Sequence, residues 1–453
     1  MDIKASLIPC LSLWLVVLGI LVIHSWRAGR YGAGLVFSYC FQMWLLYWLG
    51  AFIQVLPWSD LPNPELVRLG FQQATYGLLG FAAGYFLSAP FLRRRAARNS
   101  GKLHYEPNRK LPNAYVIAGF ISFYVLVPLI GRLPSLNALS AVGCQLIIVG
   151  MCLGCWQAWL TGSVGKLFMR LMACLAIPAV TVMTLGFLGY GAIAFITVCL
   201  FIAQFFRPRW VLIAISIIMA YAGLSFYTAY MHARTDLRSV VWGGEAYSNR
   251  VTRFWTVITE VEPFSLYNQE HLEAIDGRVN QNWLVGAAVS NLENTNDFVH
   301  GETIWLATLA MIPRAIWPDK PIVGGSSNLV SRFTGMEFAD GTSVGIGPVL
   351  EFYANFGTLG VIVGFLLLGI VVTAADVTAA TRLHEGNWQG FAYAFLIGIA
   401  LLNVGGSLME LTSSAVASVV LGSLVNQILK NYQRVRHVLN VGKHPEPRAI
   451  VAP

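Results

Sequence analysis

Two stretches of this chain hold residue types that could do chemistry at fixed spacing. The first is Ile312-Pro313-Arg314-Ala315-Ile316-Trp317-Pro318-Asp319-Lys320-Pro321. Proline fixes φ and removes a backbone donor, so Pro313, Pro318 and Pro321 predict a stiff, non-helical corner that holds Arg314 and Lys320 in place. Arginine offers a planar donor fork and lysine a point charge, a combination suited to phosphate. The alternative is that both cations only touch lipid headgroups, with Trp317 anchoring the corner at that level. The second stretch, Gly341 to Gly360, places Glu351, Tyr353 and Asn355 at the mouth of an otherwise apolar helix. Glu351 and Asn355 are four apart and share a helix face. An ionisable group entering hydrocarbon costs ~2.5–3.5 kcal/mol on the insertion scale, so Glu351 needs a partner or a task. It is either a brace paired with a loop arginine or a base or orienting group, because a carboxylate held by arginine is a poor acid.

Other charged positions add to these. Arg234 and Arg238 are i,i+4, Arg250 and Arg253 are i,i+3, and Arg332 follows. In helices each pair faces one side, where it either neutralises local acids or binds an anion. Glu410, beside Thr412, Ser413 and Ser414, must face protein or water, whereas Asp376 reads as interfacial at the other end of its span. No G-x-x-x-x-G-K-[ST], G-x-S-x-G or H-E-x-x-H is present, and the lack of a nucleotide-cradling loop argues against an ATP-driven pump. The histidines are scattered and read as surface or capping residues. Cys152 and Cys155 form a C-x-x-C inside an apolar run, which reads as packing and not as a redox or metal site. No metal or cofactor is expected.

A membrane scaffold must position these groups. The chain has 453 residues, is 56% hydrophobic and 11% charged, and has a mean hydropathy of +0.62. Soluble proteins carry roughly 25% charged residues, so an ordinary soluble domain, a disordered chain and a repeat solenoid are excluded. Spans of ~20 residues are expected near 6–23, 33–56, 71–92, 113–131, 137–160, 171–187, 189–206, 210–226, 352–374, 389–405 and 409–428. The expectation is an all-α polytopic integral membrane protein of about eleven transmembrane helices. Residues 1–226 would hold about eight spans, 227–345 a large extracytoplasmic loop with interfacial or partly re-entrant helices, 346–430 about three spans, and 431–453 a basic cytoplasmic tail.

The net charge of +8 fits this orientation and needs no nucleic acid. Nineteen Lys and Arg fall on one set of connecting segments and the tail, and only Lys4, Arg68 and Arg132 on the opposite short ones. The positive-inside rule then puts the Arg93-Arg94-Arg95 turn and the C-terminus in the cytoplasm. An odd span count puts the N-terminus and the large loop outside. Long loops are exempt from the rule, so the eight loop cations need another reason.

These residues, in this order, resemble the Wzy-type O-antigen and exopolysaccharide repeat-unit polymerases. The likeness is carried by Pro313-Arg314, Trp317 and Lys320-Pro321, then by Glu351-x-Tyr353-x-Asn355-Phe356-Gly357-x-x-Gly360, where a dominant outer loop joins the following span. The resemblance implies metal-independent glycosyl transfer on the periplasmic face of a bacterial inner membrane. The donor and acceptor would be glycans on undecaprenyl pyrophosphate, in membrane lipid, with a flippase and a chain-length regulator as further partners and no nucleic acid. An acceptor hydroxyl would attack the anomeric carbon and undecaprenyl pyrophosphate would leave. Fixed cations stabilise such a leaving group: Arg314 as the catalytic cation, with Lys320, Arg250, Arg253, Arg332 and Arg234 binding substrate. Glu351 would be the catalytic base, and Tyr353, Asn355 and Trp317 would hold sugars or order the loop. Three other functions stay open, one of them a non-catalytic assembly subunit whose loop is a docking surface. A glycan ligase needs the same chemistry, and a transporter or flippase would show paired interrupted spans and internal repeats.

Overall fold

The computed structural model describes residues 3–99, 105, 107–130, 134–205, 210–312, 317, 326–338 and 344–441. Arg314 and Lys320 of the proline-rich corner lie outside the described residues. Every regular element among the described residues is helical. The first half comprises α1 (Ile3–Arg27), α2 (Leu35–Val55), α3 (Pro64–Asn99), α4 (Leu111–Leu129), α5 (Pro134–Leu160), α6 (Val164–Leu185), α7 (Leu188–Phe205) and α8 (Trp210–Trp242). Five shorter helices follow: α9 (Tyr247–Thr259), α10 (Gln269–Val279), α11 (Asn282–Thr295), α12 (Glu302–Ala310) and α13 (Ser326–Thr334). The chain ends with α14 (Gly347–His384), α15 (Trp388–Ala400) and α16 (Leu408–Val441).

Nine of the described helices, α1 to α7, α14 and α16, are long and apolar enough to cross a membrane, which makes this a multi-pass membrane protein. The other two expected spans take different forms. Residues 210–226 begin the 33-residue α8, which runs on to Trp242. Residues 389–405 contain only the 13-residue α15, about 20 Å long at 1.5 Å per residue, short of a ~30 Å hydrocarbon core. Its apolar side chains face protein, with Phe391, Phe395 and Leu396 buried. The chain then leaves helical geometry over residues 401–407.

α3 is the central post. Pro64 and Glu65 occupy its first turn, where a missing N–H and a negative charge are both tolerated well. Beyond it, glycines let neighbouring backbones come close. A Cβ on Gly80 would lie 2.5 Å from the Ile362 carbonyl of α14, and one on Gly84 would lie 2.1 Å from that of Leu366. The first turns of α3 meet α11 in the same way: a Cβ on Gly70 would lie 1.8 Å from the Asn282 carbonyl, and one on Gly286 1.8 Å from that of Leu66. Small residues at such crossings are how helices pack where no hydrophobic force separates protein from lipid. Around this contact Trp14 Nε1 donates to Thr75 Oγ1 at 2.8 Å, and the buried rings of Tyr39 and Phe81 stack at 4.5 Å.

Two local features follow from polar demands. α2 widens into a π turn over Trp44–Trp48, and there the Leu46 carbonyl accepts from Gln281 N (3.0 Å) and the Tyr47 carbonyl from Asn282 Nδ2 (2.7 Å). At the opposite end of the bundle, Asp376 is buried and not interfacial as expected. Its Oδ1 accepts from Ala33 N (3.0 Å) and Leu35 N (2.8 Å), satisfying donors at the start of α2 that no helix turn can reach.

The glycine contacts carry a direct prediction. Gly70→Ala and Gly84→Ala should each destabilise the detergent-solubilised protein by about 1–3 kcal/mol through overpacking, read as a lower unfolding midpoint. Gly19→Ala, whose Cβ meets nothing within 4 Å, should not. Equal midpoints for all three would show that the close approach is unimportant.

Candidate functional site

Glu351, Tyr353 and Asn355 lie on the first part of α14, which is a half-helix. At Phe356 (φ −142°, ψ 24°) and Gly357 (φ 60°, ψ −153°) the backbone leaves helical geometry, in a region that only glycine enters without strain at 357. Residues eight apart in a straight helix are ~12 Å apart. Here a Cβ on Gly360 would stand 2.5 Å from the Phe352 carbonyl, and one on Gly364 would stand 2.5 Å from the Phe352 ring. The half-helix therefore folds sharply against the span that follows it. The carbonyl of Ala354, left free at the break, accepts from Val299 N at 3.0 Å.

The polar face of the half-helix is a buried network. Glu351, 1% exposed, accepts from Leu408 N through Oε2 at 2.7 Å, and the Thr303 hydroxyl lies near enough to act on it electrostatically. Asn355, fully buried, accepts from Gly301 N (2.9 Å) and donates from Nδ2 to Thr303 Oγ1 (2.6 Å) and the Glu351 carbonyl (2.7 Å). Tyr353 donates to Glu293 Oε1 at 2.9 Å. Glu351 is thus held by a backbone N–H, not by the loop arginine considered from sequence. Beside it, on the first turn of α16, Glu410 is exposed, accepts from Ser326 Oγ at 2.8 Å, and is close enough to act electrostatically on Glu351.

One loop cation joins this group. Arg332 of α13 makes a two-pronged pair with Glu302 of α12, each N···O distance 3.0 Å, and both side chains are nearly half exposed. The guanidinium holds the Glu302 carboxyl below its usual range. The remaining candidates sit elsewhere. Arg234 of α8 is partly buried near Arg278 and Arg238, and its burial with these like charges lowers its hold on the proton. Arg238 itself donates to the Gly186 carbonyl at the end of α6 (3.2 Å). Arg250 donates to the Glu245 carbonyl (3.0 Å), and Arg253 is exposed on α9. These arginines form a second patch on α8 and α9, which pack on α6, while Glu351 packs toward α11, α12 and α16. Trp317 is exposed.

Sequence reasoning missed Thr303, Glu302 and the Leu408 N–H, and it left Glu410 out of the site. Only Glu302 carried a local signal: an acid in the first turn of a short helix after Gly301, whose φ is 97°.

The family described as a domain of unknown function, DUF8712, matches residues 78–437, which include Glu351, Glu410, Arg332 and the proline-rich corner. No curated protein and no solved structure matches the chain.

The Glu302–Arg332 pair predicts a pH dependence. A carboxyl whose pKa is depressed by folding stabilises above its unfolded pKa of about 4.3 and loses that effect as pH falls through the folded value. An exposed pair contributes little, so Glu302→Gln should speed amide exchange over residues 326–334 about twofold at pH 7. After correction for intrinsic rates, the difference should shrink as pH falls through the folded pKa of Glu302. A difference that does not change with pH would mean that shape, not charge, holds α13.

Proposed function

The chain belongs to the DUF8712 family, and we propose that it is a glycosyltransferase that lengthens glycans carried on undecaprenyl pyrophosphate, at the periplasmic face of a bacterial inner membrane. The observation that carries this reading is the pair of carboxylates at the break in α14, one buried and one exposed, beside a loop that supplies cations. Transfer needs a proton acceptor next to an anion-stabilising group. The acceptor hydroxyl oxygen attacks the anomeric carbon while the bond from that carbon to the pyrophosphate oxygen breaks. The hydroxyl proton passes to a carboxylate, and the bonding pair leaves with the pyrophosphate.

Burial changes the division of labour expected from sequence. Glu351, 1% exposed and bonded to Leu408 N, orients the first turn of α16. Glu410, on that turn and open to solvent, is the group that a substrate hydroxyl can reach. Arg332 presents a planar fork already occupied by one oxyanion, Glu302, and a phosphate can take that place. Arg314 and Lys320 remain the proposed cations at the leaving group. The orientation follows from charge: the nineteen cations of the short segments and tail lie on the cytoplasmic side, and the helices between α8 and α14 on the other.

A transporter is the second reading, favoured by the break in α14, because interrupted helices line substrate paths in transporters. One experiment separates the two. Purified protein in vesicles is given lipid-linked repeat units with EDTA, and both product length and sidedness are followed. A ladder of lengthened glycans is expected; movement across the bilayer without lengthening would replace the polymerase with a transporter.

Variants then test roles. Arg314→Ala and Glu410→Gln should each lower elongation by at least about a hundredfold with normal insertion, the scale of losing a fixed charge or a general base. Glu351→Gln, which keeps an oxygen for Leu408 N, should lose less than Glu410→Gln. A greater loss at Glu351 would return the proton-accepting role to that residue.

A further inference from the structure

The helix α9 turns an apolar face away from the protein. Phe254 and Val257 are buried with Val182 of α6 and Tyr230 and Leu237 of α8. Yet Tyr247, Val251, Trp255 and Ile258, at i, i+4, i+8 and i+11, are 57%, 41%, 63% and 39% exposed. The apolar arc of this helix is wider than its protein contacts cover, whereas Asn249 and Arg253 occupy the other side.

The depth of this open face is fixed by neighbouring contacts. The Tyr247 hydroxyl lies 3.9 Å from Met183 Sδ in the last turn of α6, a helix of membrane-crossing length. Trp242 Nε1 donates to the carbonyl of Leu185, the last residue of α6. Trp242 is also 6.0 Å from the Phe187 ring, which is 5.8 Å from the ring of Tyr190, an exposed residue in the first turn of α7. Trp242, Tyr247 and Tyr190 therefore form an aromatic band level with the ends of two spans, and the open face of α9 continues that band. Trp and Tyr concentrate at the headgroup level of bilayers, and a helix with one broad apolar arc and a polar back lies in that plane.

We infer that α9 lies in the membrane–water interface, with Tyr247, Val251, Trp255 and Ile258 inserted into the phospholipid bilayer and Arg253 at the headgroups. The occupant of the open face is lipid because the face is continuous with the lipid-facing ends of α6 and α7. The assignment holds whichever reaction the chain performs. It gives Arg253 a partner other than the substrate.

The full-length protein in vesicles of phosphatidylethanolamine and phosphatidylglycerol tests this. Val251→Cys, Trp255→Cys and Asn249→Cys are each labelled with a nitroxide, and the signal of the equally treated wild type is subtracted. Collision with oxygen and with a water-soluble nickel chelate is then measured. Labels at 251 and 255 should meet oxygen freely and the nickel complex about fivefold less often than the label at 249. Nickel access equal to that at 249 would mean that the face is in water. Low access to both reagents would mean that protein covers it. Either result overturns the assignment, and none of these readings depends on glycan transfer.

Discussion

The carbonyls of Asn282 and Leu66 stand where side chains on Gly70 and Gly286 would have to be, and this backbone contact between α3 and α11 fixes the loop end of the molecule. The same helix α3 takes α14 against Gly80 and Gly84 a few turns further on. A loop helix and a span are thereby clamped to one post at backbone distance, so their mutual position is set to within the slack of a glycine crossing. Residues adjoining the clamp inherit that accuracy. Gln281 and Asn282 reach the π turn of α2, and the turn before α12 meets the half-helix through Val299 and Gly301.

Several departures from regular helix gather beside that clamp: the π turn at Trp44–Trp48, the break at Phe356–Gly357 and the irregular backbone of 401–407. Each frees backbone groups that lipid could not satisfy, so each is tolerated only where other protein groups answer it. They answer one another. Gly347 N donates to the Gly405 carbonyl, Gln281 N to that of Leu46, and Leu408 N to Glu351. A cluster of this kind costs regular hydrogen bonding and in exchange turns carboxylates, hydroxyls and amide groups toward one spot at the rim of a bundle.

Long apolar runs are legible from hydropathy alone, and nine of the expected spans reappear as helices of crossing length. Hydropathy does not distinguish a helix that faces lipid from one that faces protein, which is why α15 reads as a span although its thirteen residues are largely enclosed. Periodicity places Glu351 and Asn355 on one face, and both do share one network, in which Asn355 Nδ2 donates to the Glu351 carbonyl and to Thr303 Oγ1. Their partners were not legible: a backbone N–H at Leu408 has no sequence signature, and Thr303 belongs to another helix. Gly360 and Gly364 pack closely against Phe352, and a spacing of small residues that suits such packing gives no sign of the turn at Gly357, where the need is a positive φ. Asp376 was misplaced for a related reason, since its donors lie at the far end of the chain in sequence.

The loop cations illustrate how geometry narrows what composition leaves open. Their number invites the idea of a broad anion-binding surface, but the structure employs several of them internally. Arg238 bonds the end of α6 and stacks over Phe187 and Trp242, so withdrawing it for a ligand would uncap a span. Arg250 closes the turn into α9 through the Glu245 carbonyl. Arg332 differs in kind: its partner is a carboxylate in an exposed pair, an interaction worth only about 0–1 kcal/mol, so another anion can displace Glu302 at little cost. A cation held by a weak, planar, exchangeable anion is preorganised for another anion, whereas a cation bonded to a helix end is not. By that criterion Arg332 is the described loop arginine best placed to take another anion.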